Sequence, residues 1–184
     1  DDAAGEAFDK VASILQLGFP GGPIVDRRGA AGNPAAVSFP RTILRDGSLD
    51  FSFSGLKTAV LYHVHGPGKT TGGLERLAPG DVDNICASFS AAVVDVLVQR
   101  TIGAARQTGS KTIVIGGGVA ANSMLRSRLS QQCVEQNLAL HLTPMKFCTD
   151  NAAMIAFLGA QLFLKGRTDD LSLTAQASMP MDRA

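Results

Sequence analysis

The string IVIGGGVAANSMLR at residues 113–126 constrains this chain more than any other. Residues 112–115 are all β-branched and, after Thr112, apolar, as a short buried strand requires, and they run directly into Gly116, Gly117 and Gly118. A helical pattern follows from Asn122 to Gln136. A strand that ends in bare backbone and turns into a helix lets a ligand approach main-chain atoms without Cβ obstruction, and the first amides of the helix face an anion. That favours a phosphate or a nucleotide. Asn122, near the helix start, can donate to and accept from a sugar or base edge, and it can equally be the N-cap of its own helix.

The rest of the chain supplies an α/β frame for that loop. Apolar residues Ala7, Phe8, Val11, Ala12, Ile14 and Leu15 predict a helix over residues 3–17 that carries Asp9 and stops at Gly18. Two prolines around two glycines in FPGGPIVD predict a tight, backbone-exposed turn, with Asp26 just beyond it. Residues 27–50 read as a connecting region with short β-like pieces at 37–39 and 42–44. Phe51 and Phe53 alternate like a strand, and a helix follows from Ser54-Gly55 with Ser54 as its N-cap. Residues 66–80 read as a loop. Asp81 caps a long helix with one apolar face that ends at Gly109, a second strand covers 138–143, and an apolar helix from about Asp150 to Leu164 reads as buried. Ligands in such a succession are expected outside the C-terminal ends of the strands.

Composition excludes several classes. With 184 residues, 45% hydrophobic and 18% charged, the chain predicts one domain, 1–184, with a sizeable core. A formal net charge of +1 gives no global footprint for nucleic acid, so any RNA contact must be local or shared. Cys86, Cys133 and Cys148 are odd in number and widely spaced, which fits a reducing cytoplasm better than a disulfide framework or a zinc site. The apolar stretch 152–164 is shorter than the ~20 residues that span a bilayer, and no export signal opens the sequence. It begins at Asp1-Asp2 inside a helical pattern, as a fragment would.

Four segments in order, DDAAGEAFDK with FPGGP (1–23), FSFSGLKTAV (51–60), GGGVAANSMLR (116–126) and CTDNAAMIA (148–156), resemble the C-terminal half of the TsaD family, the bacterial tRNA adenosine threonylcarbamoyltransferases. The resemblance is loosest over 27–50 and 63–80. It implies an actin-like, sugar-kinase-like (ASKHA) fold, with this chain supplying one lobe and part of the cleft. It also implies a reaction: transfer of threonylcarbamoyl from its adenylate to the exocyclic amine of the adenosine beside the tRNA anticodon. By resemblance Asp9 holds the ribose hydroxyls, Gly22 is the substrate-contacting glycine of the PGGP turn, Asp26 is a second substrate-binding carboxylate, and Asn122 contacts the adenylate. Asp150 matches a ligand of a catalytic iron or zinc ion, which the family completes with two histidines of an HxxxH helix. TsaB-like and TsaE-like subunits are the implied protein partners.

That HxxxH helix is absent from this sequence, so the fragment is expected to be inactive alone. His63 and His65 stand at a predicted helix end before Gly66-Pro67 and read as solvated or capping residues, and His141 is isolated. Asp150 is also a natural N-cap for the helix after it. Cys148 reads as a small buried residue with no basic activator near it, and Ser54 and Lys57 receive no chemical role. An ATP-dependent phosphotransferase on the same fold, using the glycine loop for phosphates, is one alternative; a non-catalytic nucleotide-binding module is another.

Overall fold

A computed structural model of the chain describes residues 3–41 and 49–175, which fall into two compact units divided between Thr149 and Asp150. The first unit is an α/β assembly. It contains α1 (Ala4–Ile14), α2 (Gly21–Gly29), α3 (Ser54–His65), α4 (Asp81–Thr108), β1 (Thr112–Ile115), α5 (Ser123–Glu135) and β2 (Ala139–Leu142), with short 3-10 turns at Leu74–Arg76, Gly118–Ala121 and Met145–Phe147. β1 and β2 pair in parallel, Thr112 opposite Ala139 and Ile115 opposite Leu142, with α5 as the crossover.

α4 organises the unit because two cores are built along it. Its first half packs Ile85, Cys86, Phe89, Ala92, Val93 and Val96 against Phe8 and Val11 of α1, Val25 of α2 and Leu56 and Val60 of α3. Phe8 and Phe89 meet edge to face, 5.0 Å between centroids, a pairing that adds ~0.5–1.5 kcal/mol to the burial itself. Its second half packs Val94, Val98, Ile102 and Ala105 against Ile113 of β1 and Leu125, Leu129 and Cys133 of α5. Residues 85–94 of α4 are buried without interruption, so the single apolar face expected from the sequence widens into a helix surrounded by neighbours. The helix starts after Gly80 and ends at Gly109, which takes the left-handed conformation at φ 68°. Asp81 is its first residue and not its cap; the carboxylate accepts from the Ala78 amide at 2.8 Å.

Several local expectations change. FPGGP is not an open turn: a helix begins at Gly21, and Pro23 sits in its first turn, where a missing N–H costs no hydrogen bond. Gly21 is required by proximity, since a Cβ there would lie 2.7 Å from the Asp9 Cα and from the Phe8 carbonyl oxygen. α1 stops at Ile14, ahead of Gly18, and Gln16 turns left-handed at φ 54°. Residues 37–39 and 51–53 form no strand; with no partner strand for them among the described residues, Phe39 and Phe53 are buried as isolated anchors of the first core. The β-like piece proposed at 42–44 lies outside the described residues. Phe53 occupies the N-cap position of α3 and Ser54 its first turn. The last residue of α3, His65, is 4% exposed and buried beneath the 66–73 loop, not solvated, whereas His63 is exposed and packs edge-on to Phe39.

The second unit holds α6 (Ala152–Leu164) and the segment after it. Asn151, one residue later than expected, caps this helix by accepting from the Met154 amide at 3.1 Å. None of its residues is buried, against the expectation of a buried helix, and Ile155, Phe157, Phe163 and Leu164 are all more than two-thirds exposed. The physical reason lies in the unit itself: no second helix or strand among its described residues offers an apolar face to pack on.

Candidate nucleotide site

The positions singled out at 9, 22, 26 and 122 come from three elements that the fold brings side by side. α1 packs on α2 and touches the turn 118–121, with Val119 in van der Waals range of where a Cβ on Gly5 would stand. Asp9 faces the start of α2, where Oδ1 accepts from the Gly21 amide at 2.7 Å. That bond satisfies a helix-terminal N–H, places a carboxylate at the positive end of α2, and fixes the carboxyl plane. Gly22 follows immediately, and outside its own helix and chain neighbours no described atom lies within 4 Å of where its Cβ would be. Gly21 is therefore closed against α1 while Gly22 leaves bare backbone facing open space.

Asp26, one turn further along α2, reaches the start of α5. Its Oδ1 accepts from Asn122 Nδ2 at 3.0 Å, from the Ser123 amide at 3.2 Å and from Ser123 Oγ at 2.8 Å. Asn122 is 8% exposed and also caps α5, its Oδ1 accepting from the Leu125 amide at 2.9 Å. The N-cap weighed for Asn122 is observed, and the same amide is a structural clasp between two helices. The sequence expectation that the first amides of α5 stand free for an anion is corrected here. Ser123 donates to Asp26, Leu125 to Asn122 Oδ1, and Arg126 to the Asn122 carbonyl at 3.2 Å. A protein carboxylate already occupies the anion position.

The glycine loop keeps its bare character. Gly117 has φ 84°, and a Cβ at Gly117 or Gly118 would meet nothing within 4 Å among the described residues. Gly116 differs, because a Cβ there would press on Thr143 Oγ1 at 3.3 Å, and that hydroxyl is committed to the Ile115 carbonyl at 2.7 Å. Gly117 and Gly118, then, with Gly22, are the backbone positions that a ligand could approach. Two cavities among the described residues lie elsewhere, one between α4 and α5 and one beside His65, and neither is lined by Asp9, Gly22, Asp26 or Asn122. The candidate site is an open face and not an enclosed pocket.

Asp150 belongs to the second unit, exposed and one residue ahead of the α6 cap, so the capping reading passes to Asn151. Among the described residues no group of three or more His, Cys, Asp or Glu side chains could hold a metal ion. The described residues do not by themselves make a metal centre. Cys148 is 2% exposed and its Sγ donates to the Thr143 and Pro144 carbonyls, 3.6 and 3.7 Å away. An arginine does approach it, contrary to expectation: Arg126 Nη2 lies 4.0 Å from the sulfur, but the same nitrogen bonds the Thr143 carbonyl. The signal missed in the sequence was the spacing of Arg126 and Thr143, which only the β2 register brings together.

A parallel strand pair with a helical crossover, a bare glycine loop and carboxylates on adjoining helices define an α/β unit with one candidate ligand face. The particular family follows from comparison. The sequence profile of TsaD, described as tRNA N6-adenosine threonylcarbamoyltransferase, matches residues 1–157, and the chain belongs to that family. Curated relatives named tRNA N6-adenosine threonylcarbamoyltransferase include one from Trichlorobacter lovleyi, 46% identical over 183 residues, covering 100% of this chain and 52% of the relative. Another, from Sorangium cellulosum, is 47% identical over 185 residues, covering 100% and 50%. A third, from Thermosipho africanus, is 48% identical over 177 residues, covering 95% and 51%. The chain spans about half the length of the curated relatives it matches.

Proposed function

We propose that this chain is the adenylate-holding part of a tRNA threonylcarbamoyladenosine transferase. Within the whole enzyme, the exocyclic amine of the adenosine beside the anticodon attacks the carbamoyl carbonyl of threonylcarbamoyl-adenylate. A C–N bond forms, the bond to the phosphate oxygen breaks, the amine gives up a proton, and AMP leaves with the electron pair. Residues 1–184 would act together as one domain, one lobe and part of the cleft of an actin-like, sugar-kinase-like protein. Family membership and the parallel α/β unit support that architecture.

The observation that carries the proposal is the pairing of Asp9 with an exposed glycine backbone. Asp9 is oriented by the Gly21 amide, and its second oxygen has no described partner, so it can accept from ribose hydroxyls. Gly22, Gly117 and Gly118 admit the nucleotide to backbone contact. Asn122 and Asp26 hold the two helices that carry these groups, and any contact they make with the adenylate is additional to that clasp. Their contribution to rate is positioning: a fixed leaving group keeps the carbonyl within reach of the amine.

Asp150 would contribute one carboxylate to an iron or zinc ion, with histidines supplied from outside this chain. The chain alone is then inactive, and tRNA, a TsaB-like subunit and a TsaE-like subunit would be its partners in the cytoplasm. The phosphotransferase alternative loses its main support, because the α5 amides it would use are taken by Asp26 and Asn122. Calorimetric titration of the chain with AMP tests the assignment. Asp9→Ala should weaken binding about tenfold, the loss of a charge-assisted hydrogen bond or two, and equal affinity in the two proteins would remove Asp9 from the site.

A further inference from the structure

We infer that the cavity of about 280 Å³ between the ends of α1 and α3 and the loop 70–75 is a binding site for a small uncharged polyol, a pentose- or hexose-sized ring. The inference does not rest on the transferase reading. Neither Asp9, Gly22, Asp26 nor Asn122 lines this cavity, and every residue that does is itself among those described.

The group that points to a ligand is His65. It is the one buried residue of the cavity wall, 4% exposed, and its Nδ1 has no hydrogen-bond partner. A buried polar atom left unpaired costs the fold stability, and nearly all such atoms in folded chains are satisfied by protein, water or ligand. The backbone around it is fixed. Arg76 Nη2 donates to the His65 carbonyl at 3.4 Å, and a Cβ on Gly73 would lie 1.8 Å from the Val64 carbonyl oxygen, so the loop closes tightly on the end of α3. The ring itself stays uncommitted. So do the polar side chains beside it: Ser13, Gln16, Thr70, Thr71 and Glu75 make no side-chain hydrogen bond or ion pair with another described residue.

This set of groups selects the class of ligand. Hydroxyls, a carboxamide and an imidazole both donate and accept, whereas the Glu75 carboxylate accepts only. No lysine or arginine lines the cavity, so a phosphate would meet a carboxylate with no cation to offset it. A metal ion lacks ligands, since no group of three or more His, Cys, Asp or Glu stands together among the described residues. Adjacent hydroxyls of a polyol satisfy both needs: they donate to Glu75 and exchange hydrogen bonds with the neutral groups. Ile14, Leu61 and Leu74 offer apolar surface to the C–H face of a ring. The volume suits a single ring, near the ~300 Å³ at which ligand pockets begin. A free sugar and the ribose of a nucleoside carry the same chemistry.

The experiment is heteronuclear NMR of the histidine rings of this chain, titrated with D-glucose, D-ribose and adenosine. The chain has 3 histidines, so the His65 signals are assigned by their loss in His65→Gln. At least one probe should shift them saturably, with half-saturation at about 1 mM, as expected for a ligand of a dozen or so non-hydrogen atoms. A response to a sugar assigns a free polyol, and a response to adenosine alone assigns a nucleoside. Glu75→Gln and Thr70→Val, both at exposed positions, should each weaken the response about fivefold and leave the melting temperature unchanged. Asp9→Ala should leave the His65 response as it is, so failure of the nucleotide site and failure of this one are read separately. No saturable shift of His65 with any probe overturns the proposal and leaves the cavity to water. A shift indifferent to both substitutions, or a stronger response to inorganic phosphate, overturns it as well.

Discussion

Replacing Asn122 separates scaffold from ligand contact at the residue where the two coincide. Asn122→Ala removes an N-cap, worth ~1 kcal/mol, and the 3.0 Å bond to Asp26. Hydrogen bonds to a charged partner contribute ~1.5–3 kcal/mol when buried, and partial exposure of Asp26 reduces this to about 1. The expected loss is therefore about 2 kcal/mol, or a melting temperature lower by ~4–8 °C for a chain of this size. Asn122→Ser keeps a capping oxygen and loses only the Asp26 bond, so it should cost about half as much. Urea unfolding followed by circular dichroism measures both, with Asp26→Asn closing a double-mutant cycle. Equal stability of the Ala and Ser variants would refute the capping contribution, and no coupling between positions 26 and 122 would refute the clasp. If Asn122→Ser retains most of the stability but loses AMP affinity, the amide also contacts the nucleotide.

Cys86 is fully buried and its thiol is pushed up to about 12, chiefly by burial. The folded chain therefore holds that proton where the unfolded chain, near 9, releases it. Stability should be intact below pH 9 and decline from pH 9 toward pH 12 by up to about 1.4 kcal/mol per unit, and Cys86→Ala should remove that component of the slope. α6 presents Ile155 and Leu158 on one exposed face, so the chain should self-associate at micromolar concentration. Light scattering after gel filtration should show Ile155→Glu with Leu158→Glu shifting it toward monomer, and an unchanged mass would exclude this face.

The frame was legible in the sequence wherever one residue type has one local cause. The glycine triplet after β1, the left-handed stop at Gly109 and the Asn122 cap all follow from backbone rules that act within a few residues. Errors arose where a distant partner decides. Pro20 and Pro23 suggested an open turn, but proline is tolerated at a helix start, and α1 supplies the surface on which that helix forms. Phe51 and Phe53 had strand periodicity without a strand among the described residues to pair with. At the site, the resemblance named Asp9, Gly22, Asp26 and Asn122, but no pattern could foretell that Asp26 would fill the anion position of α5 from 97 residues away. For α6, an apolar run alone says that burial is favourable and not which surface provides it.

Transfer of labelled threonylcarbamoyl to tRNA tests the central claim, that this chain holds the adenylate and needs groups from outside itself to react. The purified chain alone, supplied with threonylcarbamoyl-adenylate, should give no transfer. Adding the remaining half of a full-length relative should restore it, and restoration should fail with Asp9→Ala or Asp150→Ala. Transfer by the chain alone, or restoration indifferent to both substitutions, would contradict the account.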